Sequence, residues 1–217
     1  MFNRASEWGW KGENPVAHLS LFKETKRQRF LLPEEVSAFF NAVNAEPNET
    51  IRDFIYVCLL TGGRRANVQA MAWPQIDFNL KIWTVSAAEA KGGETLTIPL
   101  LPQALEILTR RKKTATSEWV FSGRGRTGHL VEPKGAWKRI LKTAGLSDLR
   151  LHDLRRTLGS WQAIMGSSLL VIGKSLGHKN ASSTQIYARL SNSAVRESME
   201  KATNALLLAG TTQQTDI

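Results

Sequence analysis

Only residues 76–99 of this 217-residue chain show the alternation of apolar and polar side chains that is typical of β-strands. The runs IDFNLKIWTV and ETLTIPL alternate in this way, and the Gly-Gly pair of AKGGE between them favours a hairpin turn. The segments on both sides have helical spacing instead. The pattern therefore predicts an α+β fold that is mainly α-helical, a helical bundle with one small antiparallel three-stranded β-sheet.

Helix signals predict most of the remaining elements. A helix begins near Pro33, where the proline and two glutamates suit the positive end of a helix. The next predicted helix, 49–61, ends at a Gly-Gly pair. Further helices are predicted at about 64–71, 102–113, 133–144, 153–165, 168–176, 181–190 and 193–208, and 119–122 is a short extended piece.

The charge of the chain indicates a polyanionic partner. The net charge is +10, the isoelectric point is near 10.0, and the basic residues recur along the whole chain. This distribution favours a folded surface that binds nucleic acid; a generic basic protein or one that binds acidic membranes is the alternative. No apolar run approaches the ~20 residues that span a bilayer, no signal-peptide pattern opens the chain, and Cys58 is the single cysteine. We therefore expect a cytoplasmic protein.

The sequence predicts no cofactor. The four histidines form no His-x-x-x-His pair, and a single cysteine cannot build a thiolate cluster. No paired-carboxylate pattern indicates a two-metal site. The tripeptide GKS at 173–175 lacks the earlier glycine of a Walker-type phosphate loop.

Several cations remain as candidates for chemistry. Arg64 and Arg65 follow the first Gly-Gly pair at a junction of two predicted helices, where a guanidinium beside free N–H groups can bind phosphate. A solvated arginine pair at a helix start is the alternative. Lys91 stands at the predicted hairpin turn, where it can reach into a groove or remain an exposed turn residue.

Two histidines and a tyrosine extend this set. His152 and Arg155, three residues apart, share one face at the start of a predicted helix, as a proton-transfer group and a phosphate clamp or as a cap and a surface charge. His178 ends another helix, a position where histidine often only complements the helix dipole. Tyr187 follows nine residues later among polar neighbours, either as a surface ring or as a functional hydroxyl.

In chain order these residues lie in TGGR, AKGGETLTIPL, HDLR, LGH and IYARL. This order resembles the motif pattern of the tyrosine recombinases, the phage-integrase family, over about 25–205. The resemblance implies the tyrosine-recombinase catalytic fold, with 25–217 as the catalytic domain and its C-terminal tail helix, and 1–24 as the remnant of a core-binding domain and linker. Asn67 stands where many members have Glu or Asp, so we expect it to support the site with altered tuning.

The resemblance implies a site-specific DNA recombinase, the integrase of a mobile element or prophage, which needs neither metal nor ATP. The tyrosine would attack a phosphodiester and form a 3′-phosphotyrosyl link while the two arginines and the second histidine hold the phosphoryl oxygens. The first histidine would take the tyrosine's proton and the lysine would protonate the leaving 5′-oxygen. The implied catalytic residues are Arg64, Lys91, His152, Arg155, His178 and Tyr187, the nucleophile. A Xer-type chromosome-resolution recombinase, a type IB topoisomerase-like nicking–closing enzyme and a catalytically silent DNA-binding regulator are the alternatives.

The implied partner is double-stranded DNA with a specific attachment or core site, bound in the bacterial nucleoid and not at a membrane. Family members assemble as tetramers on DNA through the C-terminal helix, so we expect a homo-tetramer on DNA, a monomer when free, and DNA-bending accessory proteins. We also expect neighbouring cations to favour the ionised form of Tyr187. The predicted DNA contacts are Lys26, Arg27, Arg65, Arg124, Arg126 and Lys179.

Overall fold

The computed structural model describes residues 2–14, 19, 27–90, 93–190 and 192–212. The helices in these residues are α1 (Phe2–Glu7), α2 (Pro33–Asn44), α3 (Glu49–Thr61), α4 (Arg65–Gln69), α5 (Pro102–Lys113), α6 (Lys134–Ala144), α7 (Asp153–Ile164), α8 (Leu169–Leu176) and α9 (Asn192–Thr212). The strands are β1 (Ile76–Asp77), β2 (Ile82–Val85) and β3 (Leu96–Pro99). Short 3₁₀-helices lie at Trp73–Gln75, Ala181–Ser183 and Gln185–Leu190.

Local signals set the ends of the helices that carry the site. The side chain of Asn48 accepts a hydrogen bond from the first turn of α3, and the side chain of Ser168 does the same for α8. Both helices end at a glycine in the left-handed region, Gly62 with φ +60° and Gly177 with φ +59°. A side chain at either position would strain the backbone.

The three strands form one antiparallel sheet in the order β1-β2-β3. Trp83 in the central strand pairs with Ile76 on one side and with Ile98 on the other. Its ring is fully buried, and its indole N–H donates to Gln75 Oε1 at 3.1 Å. The described residues therefore confirm the predicted fold class, mainly helical with a small three-stranded antiparallel sheet.

Two predicted helices differ in the structure. The helix expected over 64–71 ends at Gln69, because the chain turns to form a bridge between Ala72 and Trp119. The helix expected over 181–190 is instead a pair of 3₁₀-helices that meet at Thr184. Serine and threonine offer the backbone local hydrogen bonds that compete with a continuous α-helix, and this stretch contains Ser182, Ser183 and Thr184.

The core has two parts, and their contacts set the position of the site. In the larger part α3 packs against α5 and α7, while α2 packs against α6. The smaller part joins α7, α8 and the 3₁₀-helix Gln185–Leu190 through Ala163, Ile172, Leu176 and Tyr187. The end of α3, the start of α7 and the end of α8 consequently meet. Among the described residues, no helix combines the length and apolar character needed to cross a bilayer.

Candidate active site

The turn after α3 holds Arg64 at the junction of three helices. An added Cβ at Gly63 would lie 2.7 Å from the Trp83 ring, so the backbone approaches the sheet closely there. Arg64 then precedes α4, and its Nη2 donates to the carbonyl oxygen of Gly177 at 3.3 Å. This contact joins the turn after α3 to the turn after α8.

Arg155 ties the same two helix ends together from α7. The residue is 5% exposed, and its Nη1 donates to the carbonyl oxygen of Gly62 at 2.6 Å. Its Nη2 donates to the carbonyl oxygen of Leu176. Both acceptors lie at helix C-termini, the negative ends of the helix dipoles, which favour a cation. Burial and the charge of Arg64 lower the pKa of Arg155 to about 10, so its guanidinium stays charged at neutral pH.

His178 is a neutral imidazole whose orientation is fixed by Thr184. Its Nδ1 lies 2.9 Å from Thr184 Oγ1. Burial and the charges of Arg155 and Arg64 lower the pKa of His178 to about 4, so the ring is uncharged at pH 7. We assign the Thr184 hydroxyl as donor to Nδ1, which leaves the proton of the imidazole on Nε2.

His152 immediately precedes α7 and is also neutral at physiological pH. Partial removal from water and the positive charges of Arg156 and Arg155 lower its pKa, against an opposing effect of Asp153. A neutral imidazole can accept a proton, whereas a protonated one cannot. His152 is thus suited to act as a base.

These side chains line an open cleft of about 620 Å³. The residues around it are Arg64, Arg65, Ala66, His152, Arg155, His178, Lys179, Asn180 and Ser183. Arg65 pairs with Glu132, and Lys179 pairs with Glu94 at 3.1 Å. Five of the six residues expected to be catalytic lie in the described part of the chain, and four of them line this cleft.

Tyr187, the fifth, lies beneath the cleft in the smaller core. It is 2% exposed, and its ring lies parallel to that of His178 with centroids 6.4 Å apart. Its Cζ approaches α7 so closely that a Cβ on Gly159 would lie 2.6 Å away. Burial raises the pKa of Tyr187 although Arg155 and Arg156 act against it. The expectation that neighbouring cations favour the ionised tyrosine is therefore wrong for this conformation, because desolvation dominates.

The other sequence-predicted residues have different surroundings. Arg124 and Arg126 are exposed in the loop between α5 and α6. Asn67 faces a separate small pocket beside the sheet, together with Gln75 and Glu89. Lys26 and Lys91 lie outside the described residues.

Arg27 is engaged within the protein. Its Nη1 contacts the carboxylate of Asp148 at 2.8 Å, and its Nη2 contacts Asp153 Oδ2 at 2.8 Å. Its guanidinium therefore has two anionic partners within the protein. The sequence predicted Arg27 as a DNA contact and did not predict these partners.

The model of the phage integrase family matches residues 29–194. This chain belongs to the phage integrase family. The matched span contains every residue that the motif pattern singled out, whereas two of the predicted DNA contacts, Lys26 and Arg27, precede it. The resemblance inferred from the five motifs is thereby confirmed.

Individual relatives within the family are moderately similar. The chain is 29% identical over 160 residues to the prophage integrase IntF of Escherichia coli K12, covering 71% of this chain and 34% of that protein. It is 27% identical over 208 residues to the integrase of Salmonella phage P22, covering 89% and 52%. It is 33% identical over 181 residues to the tyrosine recombinase XerA of Pyrococcus furiosus, covering 79% and 61%. The chain thus spans about a third to three fifths of the length of these relatives.

Solved integrase structures share the fold. The Tn1549 transposon integrase in complex with a circular intermediate DNA superposes with a TM-score of 0.74 at 18% identity, covering 92% of this chain and 75% of that one. The catalytic domain of bacteriophage HP1 integrase gives 0.60 at 18% identity, covering 79% and 93%. At this identity the likeness concerns the fold, and it confirms the expected tyrosine-recombinase catalytic fold.

Two residues at the site were missed from the sequence. Thr184 orients His178, and Gly159 lets Tyr187 pack against α7. Within the family motifs Thr184 falls between LGH and the tyrosine, and Gly159 lies four residues after Arg155. Neither residue is chemically reactive, so neither stood out as a candidate. The signal that connects Gly159 to the site is its spacing of four residues from Arg155 along α7.

Proposed function

We propose that this chain contains the catalytic domain of a site-specific DNA recombinase, the integrase of a mobile element or prophage. One observation carries the proposal: two arginines of the cleft, Arg64 and Arg155, are held by carbonyl oxygens and not by carboxylates of the described residues. Several other arginines do pair with carboxylates, among them Arg65 of the same cleft. Those other pairs are Arg27 with Asp148 and Asp153, Arg29 with Glu35, Arg65 with Glu132, Arg110 with Glu49 and Asp53, Arg111 with Asp53, Arg139 with Glu46, and Arg156 with Asp153. Two unneutralised guanidiniums facing an open cleft suit a phosphodiester.

The proposed reaction uses each cleft residue according to its charge. Arg64 and Arg155 hold the non-bridging oxygens of the scissile phosphate, where negative charge grows in the transition state. His178 donates a hydrogen bond from Nε2 to the same group. The Tyr187 oxygen attacks phosphorus, His152 takes its proton, and the 5′-oxygen leaves as the 3′-phosphotyrosyl bond forms.

Lys91 completes the proposed set as the donor of a proton to the leaving 5′-oxygen. This role rests on the AKGGE motif and its resemblance to the family pattern. Reversal by a 5′-hydroxyl of another strand rejoins the DNA, because the phosphotyrosyl bond conserves the energy of the bond that was broken.

The buried tyrosine has a consequence for the order of events. Its side chain is buried and does not line the cleft of His152 and His178, so we propose that the ring moves before it attacks a phosphate in the cleft. The 3₁₀-helix Gln185–Leu190 carries the tyrosine and would be the element that shifts. We propose that DNA bound in the cleft precedes this movement.

Covalent capture tests the proposal and does not require that the DNA site be known. A pool of nicked duplexes with a randomised centre is incubated with the protein, and adducts that survive denaturation are recovered and sequenced. We expect adducts that share one sequence. Adducts should be absent with Tyr187→Phe, while DNA binding by that variant stays close to the wild type.

Two outcomes would overturn the proposal. Adducts formed by Tyr187→Phe would assign the nucleophile to another residue. Sequence-specific binding without any adduct from the wild-type chain would support the silent DNA-binding regulator instead. The matched control is Tyr56→Phe. Tyr56 is the other tyrosine of the chain and does not line the cleft, and its hydroxyl donates to Asn44 Oδ1 at 2.7 Å.

The choice of a mobile-element integrase rests on the similarity to integrases of a prophage and a phage. The similarity to XerA favours a Xer-type recombinase as the second candidate. An assay with two plasmid-borne copies of the captured sequence distinguishes the integrase and the Xer-type recombinase from a topoisomerase-like enzyme. Recombination requires the paired sites, whereas relaxation of plasmids that lack the sequence would indicate nicking–closing activity.

We further propose that α9 docks on a second copy of the chain when DNA is bound. In the described residues α9 contacts the 3₁₀-helix Gln185–Leu190. Val195, Met199 and Leu206 are 53%, 65% and 74% exposed, an apolar surface of the kind that interfaces cover. The proposed assembly is a tetramer on two DNA sites from monomers in solution, aided by DNA-bending accessory proteins.

Deletion of residues 191–217 tests this assembly. Sedimentation with the captured duplex should give multimers with the full chain and a single bound copy with the deletion. Multimers of equal size from both proteins would contradict docking through α9. Met199→Glu, a single charge on the exposed surface, should act in the same direction as the deletion.

The remaining parts of the proposal concern organisation and location. We propose that residues 1–24 are the end of a core-binding domain with its linker, and that residues 25–217 form the catalytic domain. The proposed site of action is the bacterial nucleoid in the cytoplasm, in keeping with the net charge of +10.

A further inference from the structure

The segment 27–31, here named the strap, lies along one face of α7. Leu31 donates its backbone N–H to Thr157 Oγ1 at 2.9 Å, and its carbonyl oxygen accepts from Trp161 Nε1 at 3.0 Å. Arg27 Nη2 contacts Asp153 Oδ2 at 2.8 Å. Asp153, Thr157 and Trp161 are spaced by four, so they form one row on the helix.

The contact between Arg27 and Asp153 completes a buried cluster of charged groups. Asp153 is fully buried and also accepts from Arg156 Nη1 at 2.9 Å and from the backbone N–H of Arg150 at 2.9 Å. The Arg27 guanidinium also binds Asp148, which holds the pKa of that exposed carboxyl below its usual range. The cluster thereby fixes the turn that precedes α7.

The reactive residues of α7 lie beside this cluster. His152 immediately precedes Asp153, and Arg155 follows it by two positions. A rotation or shift of the first turn of α7 would therefore move both the base and the phosphate clamp. The strap also contacts the segment that carries the tyrosine, because Arg189 Nη2 donates to the carbonyl oxygen of Gln28 at 3.3 Å.

We propose that Arg27 is a positioning residue, which through Asp153 sets the placement of His152 and Arg155 for cleavage. The inference rests on the proposed function and deepens it. It replaces the expectation that Arg27 contacts DNA, since its guanidinium is occupied by Asp148 and Asp153. The strap thus couples the residues that precede α2 to the catalytic helix.

Arg27→Gln and Arg27→Lys test the proposal, with Arg29→Gln as a matched control. Arg29 lies two residues away but pairs with Glu35 of α2 and not with α7. With the captured duplex at saturation, Arg27→Gln should slow single-turnover adduct formation about 10- to 100-fold, because small misplacements of catalytic groups have effects of that size. DNA affinity should stay within about two-fold. Arg27→Lys should recover part of the rate, because a lysine keeps the charge beside Asp153 but lacks the planar fork of donors that binds Asp148 and Asp153 together.

The titration of His152 gives a second measurement that does not depend on catalysis. The charged groups around this ring are Arg65 of α4 and Asp153, Arg155 and Arg156 of α7. Removal of the Arg27 charge leaves Asp153 less neutralised, so the pKa of His152 should rise in Arg27→Gln. Arg29→Gln and Arg27→Lys should leave it unchanged, as followed by NMR of the histidine ring protons.

The outcomes separate the two proposals. Weaker DNA binding at an unchanged rate of adduct formation would make Arg27 a DNA contact and overturn the positioning role. An unchanged rate and an unchanged His152 pKa in folded Arg27→Gln would overturn it as well. If the wild-type protein forms no adduct, the proposed function fails, and an unchanged His152 titration would then refute the coupling separately.

Discussion

Replacement of Gly62 by alanine tests how the turn after α3 builds the cleft. Gly62 has φ +60°, and a Cβ there would lie 2.8 Å from Leu176 Cδ2 and 2.9 Å from Leu158 Cδ2. Leu176 is fully buried and has little room to move. The left-handed backbone costs a non-glycine residue about 1 kcal/mol, and overpacking of a filled core adds about 1–3 kcal/mol. We expect Gly62→Ala to lower the free energy of unfolding by about 2–4 kcal/mol.

Gly145→Ala separates these two contributions. Gly145 ends α6 with φ +65°, and a Cβ there would meet nothing within 4 Å. This control should therefore lose only about 1 kcal/mol, the cost of the backbone conformation. Urea denaturation of both variants measures the difference.

Activity provides the second half of the test. The carbonyl oxygen of Gly62 accepts from Arg155 at 2.6 Å, whereas Gly145 is remote from the cleft residues. Gly62→Ala should slow adduct formation about 10-fold or more at a temperature where it is folded, and Gly145→Ala should not. Equal stability losses in the two variants, or equal activities, would refute the close packing of this turn and its role in holding Arg155.

Three further predictions follow from the residues around the cleft. The pKa of His178 is lowered from 6.5 to about 4 in the folded protein. As the pH falls from about 7 to about 5, His178 is therefore protonated in the unfolded chain before it is protonated in the folded one, and the free energy of unfolding should fall by about 1–2 kcal/mol. His178→Asn should remove that part of the pH dependence in urea denaturation, and an unchanged slope would contradict the assignment. Thr184→Val should slow adduct formation about 10-fold with DNA affinity retained, while Thr184→Ser should keep the wild-type rate; equal rates in all three proteins would exclude the orienting role. Gly159→Ala should push the Tyr187 ring from α7 and increase its nitration by tetranitromethane, with Tyr56 as the internal reference by mass spectrometry; unchanged protection of Tyr187 would show that its ring is not packed there.

The elements of this fold could be predicted from sequence because their signals are local. Periodicity gave the helices and the sheet, and asparagine, serine and glycine marked their ends. The burial of Tyr187 had no such signal, since its immediate neighbours are polar and the residue that accommodates its ring, Gly159, is 28 positions earlier on another helix. The contact of Arg27 with Asp153 had no such signal either, because the two residues are 126 positions apart.

The motifs TGGR, HDLR and LGH are joined to one another by hydrogen bonds. Gly62 and Gly177 each end a helix in the left-handed region, which turns carbonyl groups at the helix ends towards the cleft. Arg155 of HDLR binds the carbonyl oxygens of Gly62 and Leu176, and Arg64 of TGGR binds that of Gly177.

TGGR and LGH therefore supply the carbonyl acceptors for the arginines of HDLR and TGGR. Carbonyl dipoles hold a cation in place without cancelling its charge, whereas a carboxylate would hold it and neutralise it. The burial of Arg155 is compensated only in part, as its lowered pKa indicates. A phosphate that enters the cleft would supply the missing negative charge, so the same arrangement that limits the stability of the empty site favours the proposed binding of DNA.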